Sequence, residues 1–413
     1  MRLVSKSKRS LLVICSIAIA LVLLVQCVDK QEAPKNEIKN MRGEVFAGSV
    51  ACAQCHKAIY DSHMLTAHYN TSAPASGQSI KGNFNDGINR FVFSPDMNVT
   101  MEKRDTDYYQ VQYTNGMEMR RQKFDIAIGS GTKGQSYAYW NGNKLSQMPL
   151  FYYAAKNEWA NSPGFPGQVI YSRPITSRCM ECHSTFARVV SEVFVEPEEF
   201  DHNQMILGVD CEKCHGAGEK HVEYQLQNPD VKTAKYIVNP ASLSRTQNLN
   251  LCALCHGGRM IKTVPSFSFE VGDTLANYFI KDTAAKDTAN IDVHGNQFGL
   301  LAASKCFKMS GMTCTTCHNT HLNQRGMEEM FSQKCMSCHN EQHNNFCKLA
   351  SQIGTTITKN CIDCHMPVQS SKAIVFLEQG ATKPATASMR SHYIRIYPEE
   401  AKKYLVLLKR QDK

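Results

Sequence analysis

The run Cys211-Glu212-Lys213-Cys214-His215 sets two thiols three positions apart, with an imidazole directly after the second. Thiols at that spacing can form thioethers to the two vinyl groups of a haem, and the next histidine then reaches the iron, which is the c-type attachment pattern. It occurs seven times, at residues 52–56, 179–183, 211–215, 252–256, 314–318, 335–339 and 361–365, numbered here as motifs 1 to 7. With 18 Cys and 15 His in 413 residues, chance would supply ~0.03 copies. The attaching thiols are Cys52, Cys55, Cys179, Cys182, Cys211, Cys214, Cys252, Cys255, Cys314, Cys317, Cys335, Cys338, Cys361 and Cys364. The proximal iron ligands are His56, His183, His215, His256, His318, His339 and His365. Zinc knuckles do not require a histidine after each second cysteine, and a disulfide framework would leave all of these histidines unexplained. Seven covalently held haem c groups are the expected cofactors.

Eight histidines lie outside the motifs: His63, His68, His202, His221, His294, His321, His343 and His392. Complete bis-histidine coordination of seven irons needs seven of them. Methionine is the other common distal ligand, but it raises the potential, and histidine suffices in number. His221, His321 and His343 each follow a motif histidine within six residues. A distal ligand must approach the opposite face of the porphyrin, so each of the three is expected to reach a neighbouring haem.

The start of the chain carries Arg2, Lys6, Lys8 and Arg9, then an apolar run from Leu11 to Val25. About 15 apolar residues suit a secretory signal better than a spanning helix, which needs about 20. Residues 1–26 therefore read as a signal peptide or lipoprotein signal, with Cys27 a candidate lipidation site or the run an uncleaved anchor. Residues 27–47 read as a tether. Removing residues 1–26 lowers the formal charge from +9 to +5, and fourteen haem propionates would lower it further. No basic, aromatic-interleaved surface points to nucleic acid.

Between His68 and His183 there is no histidine, so this stretch can hold no histidine-ligated iron. Its pattern is β. Alternating runs flank Asn115-Gly116 and Asn141-Gly142, and Asn-Gly between alternating runs is the strongest short hairpin signal. Gly129-Ser130-Gly131-Thr132-Lys133-Gly134 matches a dinucleotide fingerprint in letters only, since no helix pattern follows it; a turn is expected. Cys306 and Cys347 stand outside the motifs and are open to pairing or to two separate thiols.

The first motif runs into Tyr60, Thr66 and His68, twelve residues after His56, and in this it resembles the cytochrome c-552/c-554 family of multihaem proteins. A further stretch from Ile128 through Tyr139, Pro149, Trp159 and Arg173-Pro174-Ile175 into Cys179 resembles the same family and its tetratricopeptide-linked relatives. The resemblance implies distal-ligand roles for His68, His294 and His392. His63 falls where the family often has Trp, so His202 is placed ahead of it as the seventh distal ligand.

These readings give a mainly α multihaem cytochrome, with short helices around a haem core and a β-rich insertion. The expected segments are 48–74 for the first haem, 75–160 for the haem-free insertion, 161–397 for six haems and 398–413 for a terminal helix and tail. The expected function is electron transfer between a membrane quinol pathway and a periplasmic or cell-surface acceptor. The partners would be a quinol dehydrogenase or other cytochromes on one side and the terminal acceptor on the other, with the membrane reached through the N-terminal anchor or a lipid on Cys27. The alternative is a nitrogen-oxide redox enzyme acting on nitrite, hydroxylamine or nitric oxide, which needs one iron with an open position.

Overall fold

The structure is a computed structural model that describes residues 37–411 except 165, 166, 193, 194, 282–290 and 344. The expected signal segment and Cys27 lie outside the described residues. Residues Ile38–Lys413 form one compact unit. No helix among the described residues is long and apolar enough to cross a membrane.

The expectation of a mainly α fold is wrong: the chain is 29% helix and 27% strand. Two physical reasons account for this. Several helices at the attachment motifs are very short, Cys211–His215 and Ile362–His365 being extreme cases, because a chain wrapped around prosthetic groups need not bury long amphipathic helical faces against one another. Strands also recur throughout the motif region, in three hairpin-like pairs.

The first block of strands is built from two sheets. Strands β2 (Arg90–Ser94), β3 (Met97–Arg104), β4 (Asp107–Thr114) and β5 (Met117–Lys123) form an antiparallel meander. Asn115 and Gly116 close the β4–β5 turn, both at positive φ, the geometry that a two-residue hairpin loop demands. The second sheet orders β1 (Ser72–Pro74), β6 (Ile126–Ile128), β7 (Gly134–Asn141), β8 (Lys144–Gln147) and β11 (Arg173–Pro174). Off that path, β9 (Leu150–Tyr153) pairs with β7 and with β10 (Glu158–Asn161). The glycine-rich 129–134 string is the turn from β6 into β7.

The core between these sheets centres on Trp159, which is fully buried with Phe84, Phe124, Tyr137 and Tyr152 set around it at ring-centroid distances of 5.8, 6.3, 5.5 and 6.2 Å. Edge-to-face and tilted contacts of this kind add to the area each ring buries. Gly82 is required beneath the indole, since a Cβ there would fall 2.1 Å from the ring.

The remaining strands form two-stranded pairs: β12 (Ser184–Val189) with β13 (Phe200–Leu207), β14 (Met260–Lys262) with β15 (Phe279–Lys281), and β16 (Val368–Phe376) with β17 (Ala385–Arg390). The first leads directly out of motif 2. The last leaves motif 7 and returns to it. A terminal helix, Pro398–Gln411, follows.

Candidate haem-binding sites

Motifs 3 and 4 lie on helices that are each started by a defined local device. Asp210 caps the Cys211–His215 helix by accepting from the Glu212 N–H at 3.0 Å. Ser244 and Gln247 form a capping box that opens the Arg245–His256 helix, whose last turn carries motif 4, satisfying backbone donors that would otherwise lack partners. Glu212 itself reaches out of motif 3 and accepts from the N–H groups of Ala47, Gly48 and Gly218 at 2.8, 2.9 and 2.7 Å. It thereby holds the start of the Ser49–His63 helix, which carries motif 1, against motif 3.

The ring nitrogens of the motif histidines divide their work. The Nδ1 of His215 faces the Val238 carbonyl at 2.9 Å, that of His365 the Arg395 carbonyl at 2.8 Å and that of His256 the Gln297 side-chain oxygen at 3.1 Å. His183 places Nδ1 3.0 Å from the Thr71 hydroxyl. A histidine whose Nδ1–H donates in this way presents Nε2 to a metal in a fixed orientation.

Motif histidines also meet histidines from distant parts of the chain. His256 lies 6.2 Å from His68 between ring centroids, His215 lies 6.1 Å from His321, and His318 lies 6.2 Å from His392. Two metal–nitrogen bonds of about 2 Å, plus about 1.2 Å from each nitrogen to its ring centre, total about 6.4 Å, so each spacing fits one iron between two imidazoles. The ring planes of the last two pairs are close to parallel, at 19° and 28°. His183 and His294 are near enough for the charge of His294 to depress His183 further, after burial. Burial, with facing histidines second, holds both His68 and His392 down to about 4, keeping them in the neutral form that ligates metals. Among the described residues no group of three or more His, Cys, Asp and Glu side chains converges on a common metal position. A porphyrin, which brings four nitrogens of its own, suits the donors that are present.

Two histidines have other occupations. His63 is buried, with Nδ1 3.3 Å from the Thr320 carbonyl and Nε2 3.1 Å from the Val209 carbonyl. His202, expected as the seventh distal ligand, stacks on Trp140 at 3.7 Å and 20°, with Nε2 3.1 Å from the Gly142 carbonyl. It sits on the exposed side of β13, with its Nε2 already engaged, so this placement does not offer it to an iron. His221 and His343 direct Nδ1 to the Lys235 carbonyl and the Asn340 side chain at 2.9 and 2.8 Å. Cys306 and Cys347 are separate free thiols.

Sequence reasoning missed the buried ion pair that fixes motif 2. Glu198 accepts from the Ser177 N–H, from the Ser177 hydroxyl at 2.7 Å and from Lys262 at 2.8 Å, at the start of the Ser177–His183 helix. Burial pushes the Glu198 carboxyl up, but Lys262 and Ser177 outweigh it and hold the group below its ordinary range. Replacing Glu198 with alanine removes the carboxylate that faces the largely buried Lys262. It should cost about 3–5 kcal/mol, read as a lowered denaturant midpoint at unchanged slope. The sign of the pH dependence follows: because the folded-state value is depressed, this contribution is complete above the unfolded-state value and is lost as pH falls through the folded one.

Residues 135–216, a stretch that contains motifs 2 and 3, match the family described as cytochrome c554 and c-prime. The chain is a c-type cytochrome. The resemblance drawn from its motifs is thus borne out, and with it covalent binding of haem c and the role of electron carrier. In fold the cytochrome is similar to the outer cell wall cytochrome OcwA, whose crystal structure superposes with a TM-score of 0.54 at 16% identity, over 87% of this chain and 81% of that one. No curated protein matches the cytochrome in sequence.

Proposed function

We propose that this cytochrome carries seven haems, one on each motif, and moves electrons between a membrane quinol pathway and a periplasmic or cell-surface acceptor. When bound, haem c supplies an iron that cycles between the ferric and ferrous states. The observation that carries the reading is the set of facing imidazoles at 6.1–6.2 Å, each joining a motif histidine to one far away in sequence. His68 serves motif 4, His321 motif 3 and His392 motif 5; His294 serves motif 2, and His221 is left for His56. Two axial imidazoles keep the coordination sphere the same in both oxidation states, which suits transfer rather than substrate binding. Export by the N-terminal segment accords with thioether attachment after secretion, and a lipid on Cys27 or the uncleaved apolar run would hold the protein at a membrane.

Intact-mass measurement on the exported protein should show seven haem additions. Six or fewer in fully matured material would overturn the stoichiometry.

A second reading is favoured by the placements of His63 and His202. With both engaged elsewhere, six non-motif histidines remain for seven irons. One of the two C-terminal irons, at His339 or His365, then lacks a distal histidine, His343 being able to serve only one. An open iron is the requirement for a nitrogen-oxide activity.

A further inference from the structure

The motif cysteines are not spread evenly; they meet across motifs. The Cys52 thiol of motif 1 is hydrogen-bonded with Cys211 of motif 3, and the two helices that carry them touch. Cys182 of motif 2 and Cys255 of motif 4 are likewise paired. Their sulfurs lie 3.9 and 4.0 Å from the Leu254 and Glu181 carbonyls of each other's helices, and Arg178 donates to the Leu254 carbonyl at 2.7 Å. Cys252 of motif 4 pairs with Cys314 of motif 5, where Arg245 donates to the Met312 carbonyl at 3.1 Å. Cys335 of motif 6 pairs with Cys361 of motif 7, across a Ser332 hydroxyl that accepts the Cys361 N–H at 2.9 Å.

Three further contacts join these pairs. His321, facing His215 of motif 3, stands three residues beyond His318 of motif 5. Glu212 and Lys213 of motif 3 and Leu254 of motif 4 line one small cavity. Phe331, on the helix that carries motif 6, tilts against His318 at 5.2 Å.

A thioether sulfur is bonded directly to the edge of its porphyrin, so sulfurs that touch bring two porphyrin edges together. We propose that the haems form a branched network rather than a line in sequence order: a central triad on motifs 3, 4 and 5, with motif 1 attached to 3, motif 2 to 4, and motif 6, then 7, to 5. This rests on one haem per motif. Tunnelling falls steeply with distance, so the three tips, at motifs 1, 2 and 7, are the places where electrons enter or leave. A three-ended network can accept electrons at one tip and deliver them at two.

The test counts neighbours by electron paramagnetic resonance on the fully loaded protein. His68→Ala opens the iron of motif 4, and the new high-spin centre should broaden or abolish the signals of three low-spin haems. His294→Ala does the same at motif 2 and should perturb one. A line in sequence order predicts two for each variant, and that result overturns the branch alone. A variant with seven haems by mass that keeps its full low-spin spectrum overturns the histidine pairing and the proposal with it. If either variant does not accumulate, the unaltered protein answers instead. In a redox titration, reduction of a ferric haem to the diamagnetic ferrous state releases its coupled neighbours. One haem whose reduction alters three others supports the branch; none altering more than two overturns it.

Discussion

Replacing His392 with alanine should convert one low-spin haem to high spin while leaving seven haems attached. The chain leaves motif 7 through Met366 and Pro367, and proline ends the helix begun there. It then runs out along β16 and back along β17, with Val368 registered against Arg390, so His392 arrives beside the point of departure. There the Ser391 N–H donates to the Pro367 carbonyl at 2.9 Å and Arg390 donates to the Met366 carbonyl at 3.0 Å. The Ser304 hydroxyl lies 3.3 Å from the His392 carbonyl and accepts the Ile394 N–H at 2.8 Å. The imidazole is thus delivered to His318 by a hairpin anchored at both ends. Removing a packed side chain of this size should also cost about 2–4 kcal/mol, concentrated in the C-terminal segment. Added imidazole should restore the low-spin spectrum by filling the vacated position, which a purely structural role for His392 would not permit. A variant with an unchanged low-spin spectrum would show that His392 ligates nothing.

What could be read from the sequence divides along a physical line. The seven attachment motifs were legible because thioether chemistry fixes a five-residue spacing, and the Asn115-Gly116 hairpin because positive φ at both positions selects those residues. The β16–β17 hairpin was not legible. Val368-Gln369-Ser370-Ser371 has no apolar alternation, and residues 373–388 read as a connector, yet Phe376 at the end of β16 is fully buried against Phe151 at 5.0 Å. The excess of helix in the expectation arose in the same way: the three strand pairs among the motifs join segments that the attachment spacing does not mark. The placement of His202 was not legible because sequence counts imidazoles without their orientations. On β13 the ring stacks on Trp140 of β7, and nothing local to residue 202 announces that partner. The pairing of His68 with His256 was beyond reach for a related reason, since the contact joins positions far apart in the chain. Only the resemblance of the His56–His68 spacing marked His68 as a ligand at all.

The unaltered, oxidised cytochrome should show one high-spin iron beside its low-spin majority. Seven motif histidines face six others with a free nitrogen to offer, since His63 sets both ring nitrogens against carbonyls and the Nε2 of His202 meets Gly142. The shortfall falls at the C-terminal pair, motifs 6 and 7, which share Ser332 and a cysteine contact. His343 stands four residues beyond His339, too close to cross to the opposite face of that haem, so it serves His365 and leaves His339 with the open position. Nitrite or hydroxylamine added to the oxidised protein, or nitric oxide to the reduced protein, should then alter the spectrum of one haem in seven. Replacing His343 with alanine should raise the number of high-spin irons from one to two. A parent spectrum that is wholly low-spin, and indifferent to all three small molecules, would mean that a methionine or a rearranged His202 completes the seventh site. The cytochrome would then be a conductor only. A single high-spin iron would place a reactive centre on the longest arm of the network, directly beside the central triad, where electrons gathered by the rest of the protein could be used.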